Sequence, residues 1–140
     1  MATSSQGADV KLFTREEADK TLPLVRVIVR DIVTDYDVYT KKQQELNAIT
    51  ARMAAKPTKD DLRFQQTLED EVGVVKKRIA EAAMELEKLG IEIKDCQLGL
   101  VDFPAKVSGD IAYLCWKFDE AKIAFWHGLS EGFTGRKPLT

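Results

Sequence analysis

Residues 98–139 read LGLVDFPAKVSGDIAYLCWKFDEAKIAFWHGLSEGFTGRKPL, and this stretch decides the fold. It holds both tryptophans, the single histidine and Cys115, one of the two cysteines. Residues 100–105 and 111–118 are apolar runs that read as strands. Ser108-Gly109-Asp110 lies between them as a hairpin turn. Residues 123–127 form another strand after the polar turn Asp119-Glu120-Ala121-Lys122. Upstream, Ile91-Glu92-Ile93-Lys94-Asp95 alternates as a short edge strand would. The C-terminal third is therefore predicted to be a three- to four-stranded antiparallel meander, with residues 128–140 an irregular tail folded over it.

The residues before this stretch show a different period. Thr14 is a good N-cap, and Glu17, three residues on, can reach back to its amide, which makes a capping box. Pro23 predicts a break or kink near residues 20–22, with Thr21 capping a restart. From Leu22 the apolar residues step by three and four through Val25, Val29, Ile32, Tyr36, Tyr39, Leu46 and Met53, with Gln43 and Thr50 as weak points of the seam. Lys56-Pro57 ends this helix near residue 55. Thr58 caps a second one, with Asp60 and Asp61 in its first turn. Leu68, Val72, Val75, Ile79, Ala82, Leu86 and Leu89 repeat the helical step, and Gly90 stops it. Two long helices joined by a short turn lie antiparallel. At 1.5 Å per residue each is roughly 45 Å or longer, more than a small domain is wide, so part of the hairpin must protrude or pack on another chain.

The expected architecture is α+β: a long antiparallel helical hairpin (residues 14–89) with a small C-terminal antiparallel sheet and tail (91–140). These form one domain over 11–140, behind a disordered polar tail at 1–10. Apolar content of 44% and charge of 31% are those of an ordinary helix-rich globular protein, and the net charge of −2 gives no general attraction to nucleic acid. No apolar run reaches the ~18 residues that span a bilayer, and residues 1–9 lack the apolar core of a signal peptide. Cys96 and Cys115, far apart, read as reduced thiols packed as small hydrophobes in a cytoplasmic protein.

Chemistry concentrates in the last third. The two predicted strands at 111–118 and 123–127 are apolar on both faces, where a half-exposed sheet would alternate cleanly. The candidate ligand-binding residues are Asp102, Trp116, Trp126, His127 and Arg136. His127 could act as a general base or a metal ligand beside Asp102, Glu120 or Glu131. Asp102, an acid in an apolar strand, needs a partner if buried, and Arg136 is the candidate. Gly132 to Lys137 joins flexible backbone to two cations and suits a phosphate, but without P-loop spacing. One histidine with scattered carboxylates gives no zinc spacing, so neither metal nor cofactor is expected. Cys115 and Ser130 lack any nucleophile motif.

The pattern Gly99-Leu100-Val101-Asp102-Phe103-Pro104, then Leu114-Cys115-Trp116, Trp126-His127, Gly132-Phe133 and Gly135-Arg136, resembles an uncharacterised bacterial family, DUF2203. Phe13-Thr14, Glu16-Glu17-Ala18 and Leu22-Pro23 resemble its opening. Where family members often carry a Gly-Glu turn after the tryptophan strand, this chain has Asp119-Glu120. The resemblance implies a small bacterial cytoplasmic protein and brings no activity, cofactor or catalytic residue.

Two functions are expected to compete. The first is a non-enzymatic interaction or scaffold protein acting as a homo-oligomer, a homodimer above all, with a further protein partner as the other class of binder. The second is a small-ligand or phosphate-ester binding protein, or an enzyme, with its site on the C-terminal sheet. The dimer is expected because Val27, Ile28, Val33, Val38, Phe64 and Val74 widen the helical stripes past what one partner helix covers.

Overall fold

The computed structural model describes residues 11–53 and 55–139; the expected tail at 1–10 lies outside them. Helix α1 (Arg15–Arg52) and helix α2 (Lys59–Lys88) form the hairpin. Both N-termini carry reciprocal capping boxes, Thr14 with Glu17 and Thr58 with Asp61, so the orphan amides of each first turn are satisfied locally. Gly90, at φ 86°, takes the left-handed position that ends α2.

Pro23 does not break α1. The helix runs unbroken through it, and Thr21, instead of capping a restart, donates its hydroxyl to the Ala18 carbonyl at 2.7 Å. The reason is packing. Ala18, Leu22, Val25 and Val29 flank the proline and are all buried in the same core, which holds the axis while Pro23 itself stays exposed. One lost hydrogen bond on the solvent side is outweighed by apolar burial on the other.

The sheet has five strands, one more than the expected upper count: β1 (Glu92–Asp95), β2 (Leu100–Val107), β3 (Asp110–Lys117), β4 (Phe125–His127) and β5 (Lys137–Pro138). Their spatial order is their sequence order, and every pairing is antiparallel. Ser108 and Gly109, at φ 54° and 89°, form the tight turn whose positive dihedrals match strand twist. Strand β4 starts two residues later than expected. The Ile123 amide is taken by Asp19 (2.8 Å) and its carbonyl by Arg15 (3.0 Å), both from α1, so Ile123 has nothing left to give a ladder. The tail, expected to be irregular, returns as β5 on the free edge of β4. A proline is tolerated there because an edge strand has amides that need no partner.

Alternation splits the sheet into two faces. Val101, Phe103, Ala105, Leu114 and Trp116 face the helices and join α1 from Ala18 to Ile32, and Leu86 of α2, in one core. Gly99 sits close against Val29 and Val33 of α1. A Cβ there would lie 2.7 Å from Phe118 Cβ and 2.9 Å from Val29 Cγ1. Phe13 closes the end of the core, its amide on the Pro104 carbonyl (2.7 Å) and its ring edge-on to Phe103. Arg26 donates to the carbonyls of Phe118, Glu120 and Ala121, tying the β3–β4 loop to α1.

Beyond Val33 on α1 and before Ile79 on α2 the hairpin leaves this core. Residues 34–52 extend about 28 Å at 1.5 Å per residue. There the helices bury only Ile49, Leu68, Val72 and Val75. Gln65 donates to the weak point at Thr50 (3.1 Å), and Arg78 grips Asp35 with two bonds. Ile28 and Val33, two of the residues assigned to an outer stripe, instead belong to or pack on the sheet core.

Candidate functional site

The face of the sheet turned away from the helices holds the chemistry. Counting outward from the Ser108-Gly109 turn, Asp102 on β2 pairs directly with Cys115 on β3, and Tyr113 pairs with His127 on β4. Asp102, Cys115 and His127 are thus brought together by three adjacent strands. All three are buried, at 1%, 0% and 3% exposure, although two of them are polar.

His127 is fully engaged. Its Nδ1 lies 2.9 Å from the Gly128 carbonyl and its Nε2 2.9 Å from Asp102 Oδ1. A carbonyl only accepts, so Nδ1 carries a hydrogen and donates. The second proton lies between Nε2 and the carboxyl, on one side or the other. Burial raises the Asp102 pKa above the ordinary carboxylate value, while the His127 hydrogen bond and charge, Lys94 and the Cys115 thiol pull it back. Burial pushes the Cys115 thiol up to about 12, with the Asp102 charge adding to it and Arg136 opposing.

This order of contacts decides the chemistry. In a nucleophilic triad the histidine stands between nucleophile and acid. Here the acid stands between histidine and thiol. Neither imidazole nitrogen is free to take a proton from Cys115, and the thiol is held in its protonated form. The cluster is therefore a satisfied donor–acceptor network and lacks the activated thiolate of a cysteine nucleophile.

Arg136 does not pair with Asp102, as expected from sequence, because His127 already occupies that carboxyl. It pairs instead with Glu120 (2.6 Å), which also accepts from the Lys117 amide, and donates to the Cys115 carbonyl (3.2 Å). Its guanidinium lies over Phe125, 4.1 Å from the ring centroid. Its Nε is buried without an acceptor. Lys137 bonds Glu131 at 2.6 Å, so both cations of the Gly132 to Lys137 loop are engaged within the chain.

The structure therefore joins Asp102 and His127, sets Arg136 beside Cys115, and separates the tryptophans from them. Trp116 is fully buried on the helix side, its indole donating to the Glu120 carbonyl (2.9 Å). Trp126 pairs across from Leu114 on that same side, with the Lys137 ammonium over its ring. Cys115, left out of the candidate residues, is the member that sequence reasoning missed. The hairpin register was the signal that could have found it. The Asp119-Glu120 turn needs no glycine, since Ser108 is the one non-glycine residue with positive φ among those described.

A family model described as an uncharacterized conserved protein (DUF2203) matches residues 11–139. The chain belongs to the DUF2203 family. In this DUF2203 protein the match spans the hairpin and the sheet alike, including Asp102, Cys115, His127 and Arg136. Neither a curated protein nor a solved structure matches the chain. No helix among the described residues is long and apolar enough to cross a membrane.

Proposed function

We propose that the protein is a non-enzymatic cytoplasmic interaction protein that works as a homodimer, with α2 of one protomer packed antiparallel on α2 of its partner around Gly73 and Val74. The observation that carries this reading is the exposed face of α2 at Asp70, Gly73, Val74 and Lys77, spaced i, i+3, i+4 and i+7 on one side of the helix. Val74 is 56% exposed. A glycine in the middle of a helix costs about 1 kcal/mol relative to alanine, and nothing among the described residues accounts for Gly73: a Cβ there would meet none of their atoms within 4 Å. A second helix lying close against this face would account for it.

The charges support the same partner. A two-fold axis beside Val74 sets Asp70 of one protomer against Lys77 of its partner on either side of a Val74–Val74 contact. This patch is complementary to itself, as a two-fold interface requires. The projecting half of the hairpin, clad on one side only, gains the second layer that a thin helix pair lacks. Two free thiols support a reducing compartment.

Light scattering tests this. The expected mass is twice 15.7 kDa, falling to a single chain in Val74→Glu. Asp70→Lys alone weakens the dimer, and Asp70→Lys with Lys77→Asp restores it, because each swapped charge meets its opposite across the axis. A monomer mass for the native chain at high micromolar concentration overturns the proposal.

A further inference from the structure

We propose that Asp102, Cys115 and His127 form a three-ligand site for a zinc ion on the outer face of the sheet. The inference is independent of the dimer. Each residue offers one donor atom, and the three donors lie within 4.8 Å of one another. In a tetrahedral zinc site with bonds of about 2.0–2.3 Å, the nitrogen, oxygen and sulfur ligand atoms lie about 3.3–3.5 Å from one another. Closing the cluster on an ion therefore opens the 2.9 Å contact of Nε2 with Asp102 by a few tenths of an ångström and draws in the more distant donors by at most about 1.5 Å. The donor set of one nitrogen, one sulfur and one carboxylate oxygen is the one a borderline-soft divalent ion takes, and three protein ligands leave a fourth position for water or a further ligand.

A second observation points the same way. A zinc-bound histidine almost always donates its other ring N–H to a carbonyl or carboxylate. His127 makes that bond, Nδ1 to the Gly128 carbonyl at 2.9 Å, and turns Nε2 inward to Asp102. The charges balance as well. Zinc, a thiolate, a carboxylate and a neutral imidazole sum to zero, which suits a buried site. Arg136, already neutralised by Glu120, touches Cys115 and keeps a buried Nε–H without an acceptor, a donor for a thiolate sulfur. Binding displaces two protons: one from the thiol as the sulfur–metal bond forms, and one from between Nε2 and Asp102.

The test uses tag-free full-length protein, with His127 its only histidine. After chelator treatment and dialysis, zinc is titrated in competition with a chromophoric chelator, and cobalt is added separately. The expected result is one ion per chain, release of two protons per ion at neutral pH, and a thiolate-to-cobalt charge-transfer band. Cys96→Ser keeps all three, whereas Cys115→Ser loses the band. Should Cys115→Ser fail to fold, the band in the Cys96→Ser protein still assigns the sulfur. Failure of the native chain to compete for zinc, a cobalt spectrum without a thiolate band, or metal binding lost in Cys96→Ser each overturns the site.

Discussion

His127 and Asp102 are hydrogen-bonded across two strands that are not neighbours: β4 and β2 flank β3, and Nε2 meets Oδ1 at 2.9 Å over it. The contact is buried on both sides, with the side chains 4% and 2% exposed. Its two ends respond differently to mutation. His127→Ala strands a buried carboxyl and is expected to cost about 3–5 kcal/mol. Asp102→Asn removes the charge but offers an N–H to the Nε2 lone pair. It should cost no more than about 1 kcal/mol. Urea unfolding of chelator-treated protein checks both; equal losses would show that the pair is not held as described.

Gly99 and Gly109 both have positive φ, 68° and 89°, yet alanine should separate them. At Gly109 a Cβ meets nothing within 4 Å, leaving only the left-handed penalty of about 1–2 kcal/mol. At Gly99 the same penalty adds to contacts under 3 Å with Phe118 and Val29, and overpacking contributes about 1–3 kcal/mol more. Thermal melts should rank Gly99→Ala well below Gly109→Ala.

Pro23→Ala should raise stability. Pro23 is exposed on a helix that is continuous through it, and alanine restores the missing amide donor one turn back to Asp19. The expected gain is about 1–3 kcal/mol, read as a higher denaturation midpoint with an unchanged slope. A loss would mean that the proline itself is needed at this turn.

Acid should loosen both ends of the described chain. Glu17 is held below the usual carboxylate value by the Thr14 amide, and Glu131 by Lys137 and then the Gly128 amide. A lowered value in the folded state means that stability is full above pH ~4.5 and falls as pH drops through the lowered values. Glu17→Gln keeps a side-chain acceptor for the cap and should flatten part of the fall. A variant with the native acid profile would remove Glu17 from the account.

Much of the fold was legible because its signals are local. Thr14, Thr58 and Gly90 mark helix ends by their own hydrogen bonds and dihedrals, and Ser108-Gly109 marks the hairpin. Pro23 misled because proline's local preference lost to the core contacts of Ala18, Leu22 and Val25. Strand β5 was missed because two residues carry no periodicity. In the site, Asp102 and His127 stood out as polar groups in apolar strands. Cys115 did not, since a thiol reads as apolar and the spacing from 102 to 115 to 127 matches no ligand pattern. Arg136 was matched to the wrong acid because sequence does not show that a carboxyl is already taken.

The order β1 to β5 along the sheet is also the order along the chain, so each element pairs with the one made just before it. Loop closure is short at every step. The helical hairpin can form first and then receive strands one at a time. The exceptions tie the start of the chain to the sheet: Phe13 bridges Ala105 and bonds Pro104, and Arg15 and Asp19 bond Ile123. These distant contacts make docking of the sheet on α1 the slow, committing event of folding. Truncating Phe13 to alanine should retard refolding while leaving the secondary structure of both halves in place.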